Sequence, residues 1–362
     1  MSRTYVVTGG AGFIGSNFVH HLIDHTDHTA TVLDKLTYAG NPANLQSLTA
    51  DARHLFVQGD VCDQALLDEL LQAHRPRAIV HFAAESHVDR SIHEAADFID
   101  TNIVGTYRLL EAARRHWSAL PDHEQARFRF VHVSTDEVYG SLAPDAPAVV
   151  EGHRYAPSSP YSASKATADH LTHAWHRTYG LPVLTTHGSN NYGPRQFPEK
   201  LVPLFILNAL AGEPLPLYGD GQQVRDWLYV GDHCSAIRRI LQRGVPGETY
   251  NIGGGNEKTN LQIAERVCAL LDTLRPRSSG RSYAQLLVHV QDRPGHDRRY
   301  AIDASKLANA LDWRPAETLE TGMRKTVQWY LDHPDWIASV QSGAYRDWMS
   351  AHYGAATTGA NP

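Results

Sequence analysis

Cysteine is scarce in this chain. Among 362 residues there are three, Cys62, Cys234 and Cys268, far apart, odd in number and without a Cys-x-x-Cys spacing. That argues against a disulfide framework and against a cysteine zinc site. No apolar run is long enough to cross a bilayer. The first residues enter a strand at once, without the cationic start and apolar stretch of a secretory signal, so the expected location is cytoplasmic, away from membranes. A long basic run is also missing, and the formal net charge is −6. A broad nucleic-acid-binding face is therefore disfavoured, and an anionic ligand has to be met by a few local Arg or Lys residues. Internal repeats and low-complexity linkers are absent. Charged residues make up 20% and hydrophobic ones 42%, which leaves little room for disorder and enough apolar material for two domains, or one large domain with a lobe.

Histidine is the abundant residue, with 22 copies. His21 and His25 are four apart, and His170, His173 and His176 recur by three. Such spacing can ligate a metal. No cysteine or clustered carboxylate completes a site, so these are expected to be solvent-facing helix positions, with no metal bound.

The first half alternates short apolar runs with helical periodicity. Strands are expected at 5–7, 31–33, 54–57, 78–82, 128–133 and 182–186, and helices at 12–23, 64–73, 102–117 and 161–179. This is the pattern of an α/β fold, a doubly wound parallel sheet of Rossmann type covered on both faces. After about residue 189 Gly and Pro become frequent. A smaller, mixed C-terminal substrate lobe is expected there. The nucleotide-binding domain is then 1–188 with a return segment at about 229–250, its return to the sheet near 232–242. The lobe is 189–228 and 251–345, and 354–362 forms a disordered tail.

Gly10-Ala11-Gly12-Phe13-Ile14-Gly15 follows the first strand and opens a helix. Glycines there let the backbone turn tightly and approach a pyrophosphate, whose charge meets the helix N–H groups. Asp34 ends the second strand about 20 residues further on, where an acid bonds a ribose 2′-hydroxyl. A carboxylate repels a 2′-phosphate, so NAD is favoured over NADP. Lys35 is a neighbouring cation that softens the choice. Asp60 and Val61, after strand three, sit where adenine contacts are expected. Ala83 and Ala84 follow strand four, beside the nicotinamide ribose.

Tyr161-Ser162-Ala163-Ser164-Lys165 puts Tyr and Lys four apart on one helix face. A phenol is a poor base near neutrality. A nearby ammonium and an oxidised nicotinamide both favour phenolate, so a lowered Tyr161 pKa is expected. Before this helix stands Ser134-Thr135-Asp136-Glu137, an acidic turn at the carboxyl end of a parallel strand, where ligands bind. Two adjacent carboxylates suit a division into acid and base if their surroundings separate their pKa values.

These residues resemble the extended short-chain dehydrogenase/reductase family, through Gly9-x-x-Gly12-x-x-Gly15 and Tyr161-x-x-x-Lys165. Up to about residue 330 the chain is similar, more narrowly, to the 4,6-dehydratases of that family that act on dTDP-glucose. The matching segments are Asp34-Lys35-Leu36-Thr37-Tyr38-Ala39-Gly40-Asn41, Ala83-Ala84-Glu85-Ser86-His87-Val88-Asp89-Arg90-Ser91 and Ser134-Thr135-Asp136-Glu137-Val138-Tyr139-Gly140. Further matches are Ser189-Asn190-Asn191-Tyr192-Gly193-Pro194, Tyr218-Gly219-Asp220-Gly221, Arg225-Asp226-Trp227 and Asp292-Arg293-Pro294-Gly295-His296-Asp297.

The resemblance implies oxidation at sugar carbon 4, elimination of water across carbons 5 and 6, and return of the hydride to carbon 6. The catalytic set it implies is Thr135, Asp136, Glu137, Tyr161 and Lys165. For the cofactor it adds Thr37, Ser86 and Asn191 to Gly9, Gly12, Phe13, Ile14, Gly15, Asp34, Lys35, Asp60, Val61, Ala83, Ala84, Tyr161 and Lys165. For the substrate it implies Ser86, Thr135, Asn190, Lys200, Leu201, Pro216, Leu217, Tyr218, Arg225, Asn260, Asp292, Arg293 and His296. Arg225 and Arg293 have the forked donors a pyrophosphate prefers. The family's subunits pair through two long helices, so a homodimer is expected. The competing readings are a UDP-hexose 4-epimerase, a dehydratase for another nucleotide sugar such as GDP-mannose, and a non-catalytic NAD-binding regulator.

Overall fold

A computed structural model describes residues 3–341. The expected disordered tail at 354–362, and the last residues of the expected lobe, 342–345, lie outside the described residues.

Among the described residues twelve strands occur in chain order: β1 Thr4–Thr8, β2 Thr29–Asp34, β3 His54–Gln58, β4 Ala78–His81, β5 Arg129–Thr135, β6 Val183–Gly188, β7 Asn190–Tyr192, β8 Leu215–Tyr218, β9 Val224–Tyr229, β10 Thr249–Ile252, β11 Glu257–Thr259 and β12 Leu287–Val290. Seven of them form one sheet in the order β10-β6-β5-β4-β1-β2-β3. Every neighbouring pair in it is parallel. Its strands are apolar because helices cover both faces. Phe18, Leu22, Val32, Ile237 and Ile240 pack one face. Leu67, Leu70, Leu109, Leu110 and Phe130 pack the other. Strand order reverses between β1 and β4, which opens a crevice at their carboxyl ends.

The smaller part holds two more sheets. In one, β9 pairs antiparallel with β11 and parallel with β7. In the other, β8 and β12 are parallel. It has its own core around Tyr192, Phe205, Leu217, Trp227, Val267 and Met323.

The helix that carries Tyr161 and Lys165 spans Pro160–Tyr179. Pro160 occupies its first turn, Ser159 and Ser162 cap each other, and Gly180 ends it at φ 76°. These are strong start and stop signals.

Two expectations need correction. The helix expected at 102–117 is α-helical only over Thr106–Ser118 and is entered through a wide π turn at Ile99–Gly105. Asn102 lies in that turn. Its amide bonds Glu85 N (2.9 Å), Glu85 O (3.0 Å) and Ser164 Oγ (2.8 Å), tying the β4 loop to the catalytic helix. The return to the sheet expected near 232–242 is a helix, Val230–Arg243, whose buried Val230, Cys234, Ile237 and Ile240 recur by three and four. The strand that returns is β10, beside β6. Among the histidines spaced by three, His170 and His173 are exposed, whereas His176 is half-buried and bonds Leu181 O at 2.8 Å.

Candidate active site

Two adjoining cavities, of about 230 and 170 Å³, share Gln196, Glu199 and Lys200 in their walls. The larger begins at the glycine loop after β1. Gly9 has φ 69°, and a Cβ on it would lie 2.5 Å from Ala83 N. A Cβ on Gly15 would lie 2.2 Å from Gly9 O. Both clashes are with backbone, so the loop closes only with glycine. Gly12 starts the Phe13–His25 helix without any side-chain cap. Its first N–H groups are thus available to an anion in the cavity that Gly12, Phe13, Ile14 and Gly15 line.

Asp34 closes the other end. Its carboxylate accepts Ala11 N and Leu36 N, each at 2.9 Å. Lys35 is held by Asp60 at 2.7 Å. This pairing neutralises the cation that softened the choice between NAD and NADP. Thr37, Val61, Ala83, Ala84 and Ser86 line the same cavity. The cradle, uncapped helix and ribose-facing carboxylate together fit a dinucleotide with a free 2′-hydroxyl. Asn191 is placed differently: it lines the smaller cavity, donates to Ser189 O at 2.9 Å and bonds His233 Nδ1 at 2.9 Å.

Tyr161 and Lys165 line the larger cavity at its inner end. Lys165 is buried and donates to Val133 O at 2.8 Å. Burial pushes it down to about 8, against the opposing pull of Asp169. Thr135 ends β5 and caps the turn Asp136–Tyr139, its Oγ1 accepting Glu137 N at 3.3 Å. Thr135 Oγ1 also donates to Asp136 Oδ1 at 3.4 Å, whereas Oδ2 has no hydrogen-bond partner. Asp136 is 2% exposed. Burial first, then Glu137 and Asp226, push its pKa well above the carboxylate range. Burial also raises Glu137, but Arg293, Arg225 and Lys200 pull it back. Both acids are thus raised by burial, and Glu137 has more cations working against the rise.

The lowered Tyr161 pKa expected from Lys165 is not a property of the chain alone. Burial, and then the Glu137 charge, push Tyr161 up, and a hydrogen bond from Thr135 opposes them. A phenol in a dry site beside carboxyl groups resists ionisation. The lowering has to come from a cation bound next to it.

The smaller cavity gathers Glu137, Asn190, Lys200, Leu201, Pro216, Leu217, Tyr218, Arg225, Asn260, Arg293 and His296. Lys200 Nζ donates to Ser86 O at 2.9 Å, joining the two cavities. Arg293 is anchored on Asp89 Oδ1 at 2.8 Å. Arg225 bonds Val224 O (2.8 Å) and Asp297 O (2.9 Å) and stacks on Tyr300. Asp292 stands behind the wall, bonded to His296 Nδ1 (2.6 Å) and Gln223 Nε2 (3.0 Å). Thr135 and Asp136 also lie behind the residues that line either cavity.

Sequence reading missed Glu199. It lines both cavities, is 6% exposed, and burial pushes it up to about 7. Its Oε1 accepts Tyr38 OH at 3.4 Å. The available signal was its place directly before Lys200, a carboxylate abutting an expected phosphate ligand. The buried trio His132, Asp169 and His187 was missed as well, since nothing marks residues of three separate segments as neighbours.

The sequence model of a family described as GDP-mannose 4,6 dehydratase matches residues 6–326. A dTDP-glucose 4,6-dehydratase of Xanthomonas campestris pv. campestris is 58% identical over 343 residues, covering 95% of this chain and 97% of that protein. The crystal structure of a Bacillus anthracis dTDP-glucose 4,6-dehydratase in complex with NAD superposes with a TM-score of 0.83 at 44% identity, over 94% of this chain and 100% of that one. A Streptomyces venezuelae dTDP-glucose 4,6-dehydratase, solved with NAD bound, gives 0.83 at 46% identity, over 92% and 98%.

Proposed function

Because the chain belongs to the family described as GDP-mannose 4,6 dehydratase, we propose that it is an NAD-dependent hydro-lyase that converts dTDP-glucose to dTDP-4-keto-6-deoxyglucose. The observation that carries this reading is the pair Asp136 and Glu137. Both are raised by burial; Arg225 draws both back, and Arg293 and Lys200 are further causes that lower Glu137. An epimerase needs no such acid and base.

The glycine loop, Asp34 and Lys165 hold the cofactor, which supplies a hydride acceptor at sugar carbon 4 and a donor at carbon 6. Tyr161, once ionised, takes the proton of the 4-hydroxyl, and Thr135 hydrogen-bonds the same oxygen. The ketone so formed acidifies the proton on carbon 5, which Glu137 removes. Asp136, whose protonated form burial favours, gives its proton to the departing 6-hydroxyl, which leaves as water, and Glu137 hands its proton back to carbon 5 when the hydride is returned to carbon 6. Arg225 and Arg293, fixed by backbone and by Asp89, meet the diphosphate with oriented donors. Lys200 spans from Ser86 to the same region. Residues 1–188 with the return at about 229–250 carry the redox chemistry, and the remainder selects the nucleotide. The protein works as a cytoplasmic homodimer.

Incubating the purified protein with dTDP-glucose, UDP-glucose and GDP-mannose and weighing the products tests the reading. Loss of one water from dTDP-glucose is expected. A product of unchanged mass, epimerised at carbon 4, contradicts it.

A further inference from the structure

Beneath the catalytic helix, away from both cavities, lies a buried cluster that the chemistry above leaves without a task. Asp169 stands one helical turn beyond Lys165 on the same face of the Pro160–Tyr179 helix. Each is 4% exposed. Two imidazoles from adjacent strands close on the Asp169 carboxylate. His132 Nε2 of β5 lies 3.3 Å from Oδ1, and His187 Nε2 of β6 lies 3.0 Å from Oδ2. His187 is itself fixed by Tyr139 OH at 2.7 Å from Nδ1 and Tyr155 OH at 3.0 Å from Nε2. Tyr139 OH in turn donates to Asn251 Oδ1 at 3.0 Å.

A buried carboxylate persists only if hydrogen bonds and a counter-charge sustain it. His187 supplies a hydrogen bond to Oδ2, and His132 Nε2 stands beside Oδ1 without hydrogen-bond geometry. Among the described residues they are its only ion-pair partners within 4.0 Å. The cation one turn away is Lys165. The groups facing Lys165 are Asp169 from its own helix, Val133 O and His132 from β5, and His81 from β4. Asp169 is the one carboxylate among them.

We propose that Asp169, bonded by His187 and flanked by His132, is the counter-charge that keeps Lys165 an ammonium in its dry setting, and so acts on the reaction through Lys165. It is a positioning residue, and its effect on catalysis rests on the role given above to Lys165. The electrostatics agree. Burial lowers Lys165 to about 8 and Asp169 opposes that fall. Burial works to raise Asp169, but the two imidazoles beside it, His132 and His187, hold it well below the carboxylate range.

The test is Asp169→Asn in the holoenzyme, with two readouts. In the pH profile of kcat on dTDP-glucose, the alkaline limb set by Lys165 moves down by about one pH unit or more. The acid limb moves down or stays, because the Asp169 charge that pushes Tyr161 up is gone. The second readout is thermal unfolding against pH. Lys165 titrates near 8 when folded and near 10.5 when unfolded, so the unfolded chain keeps a proton that the folded one has released. Stability from this group therefore rises across that window. In Asp169→Asn the rise begins at lower pH. His187→Gln retains an N–H donor and keeps the wild-type alkaline limb, whereas His187→Leu moves it part of the way, which also serves if Asp169→Asn does not fold. An unmoved alkaline limb and an unmoved onset of the stability rise, in Asp169→Asn or failing that in His187→Leu, overturn the proposal whatever the loss of melting temperature. If the wild type shows no dehydratase activity while the unfolding onset moves as stated, the functional reading fails and the counter-charge stands.

Discussion

Replacing Asp136 by Asn separates oxidation from elimination. An exposed aspartate, with a pKa of about 3.9, holds its proton in roughly one molecule per thousand at pH 7. Asp136 is buried, and Glu137 and Asp226 add to the penalty on its charge, so its protonated form is favoured far more than that of an exposed aspartate. The full benefit of general acid catalysis is thus available, about 100- to 10,000-fold, or about 2.7 to 5.5 kcal/mol of barrier. Asn keeps the size and the oxygen that accepts Thr135 Oγ1 at 3.4 Å, but has no acidic proton to give. Tyr161 and Lys165 are untouched. In a stopped-flow experiment with dTDP-glucose, Asp136→Asn should form bound NADH at close to the normal rate and then stall, so the reduced-nicotinamide band builds up transiently. Tyr161→Phe, the control, should form none. Full dehydration by Asp136→Asn, or a loss of NADH formation as complete as in Tyr161→Phe, refutes the assignment of the acid.

Glu137→Gln should also stall after oxidation, and in addition should slow exchange of the carbon 5 proton with solvent, read by NMR in deuterated buffer; unchanged exchange would remove Glu137 as the base. Gly15→Ala forces a Cβ to 2.2 Å from Gly9 O, a backbone contact that cannot yield, so about 1–3 kcal/mol of stability and the bound nicotinamide should both be lost. Melting curves and the cofactor content of purified protein check this, and full occupancy with wild-type stability counts against the glycine-loop account. The Thr106–Ser118 and Pro160–Tyr179 helices lie side by side and leave Tyr107 and Tyr179 exposed, so sedimentation at micromolar concentration should give a dimer, and a monomer alone would mean that these helices serve only to cover the sheet.

The parts of the fold most legible in the sequence were those where local and global signals agree. The strands at 78–82 and 128–133 read as short apolar runs because helices bury both their faces. The catalytic helix was expected at 161–179, and its observed ends at Ser159, Pro160 and Gly180 fit that range. The 102–117 stretch kept its helical period but hid a π turn, because the turn depends on what Asn102 touches rather than on periodicity. The segment at 232–242 carried the apolar period of a helix, yet the expected return to the sheet drew it into strand. In the site, Asp34, Tyr161 and Lys165 were readable from spacing, and Asp136 and Glu137 from their place after β5. The assignment of Asp136 as the acid and Glu137 as the base came with the family chemistry; its physical reason was not readable, since Arg293 and Lys200, which lower Glu137, come from distant segments. Tyr161 shows the limit most clearly: the Lys at four residues suggested a lowered pKa, but the chain's burial and carboxylates set the opposite sign.

The central claim is that one hydride leaves carbon 4 and comes back at carbon 6 of the same sugar. dTDP-glucose carrying deuterium at carbon 4 should yield a 4-keto-6-deoxy product lighter by one water, with the deuterium on carbon 6 and no free NADH accumulating in step with it. Deuterium retained at carbon 4 in a product of unchanged mass, or lost to a stoichiometric pool of free reduced cofactor, would contradict the account.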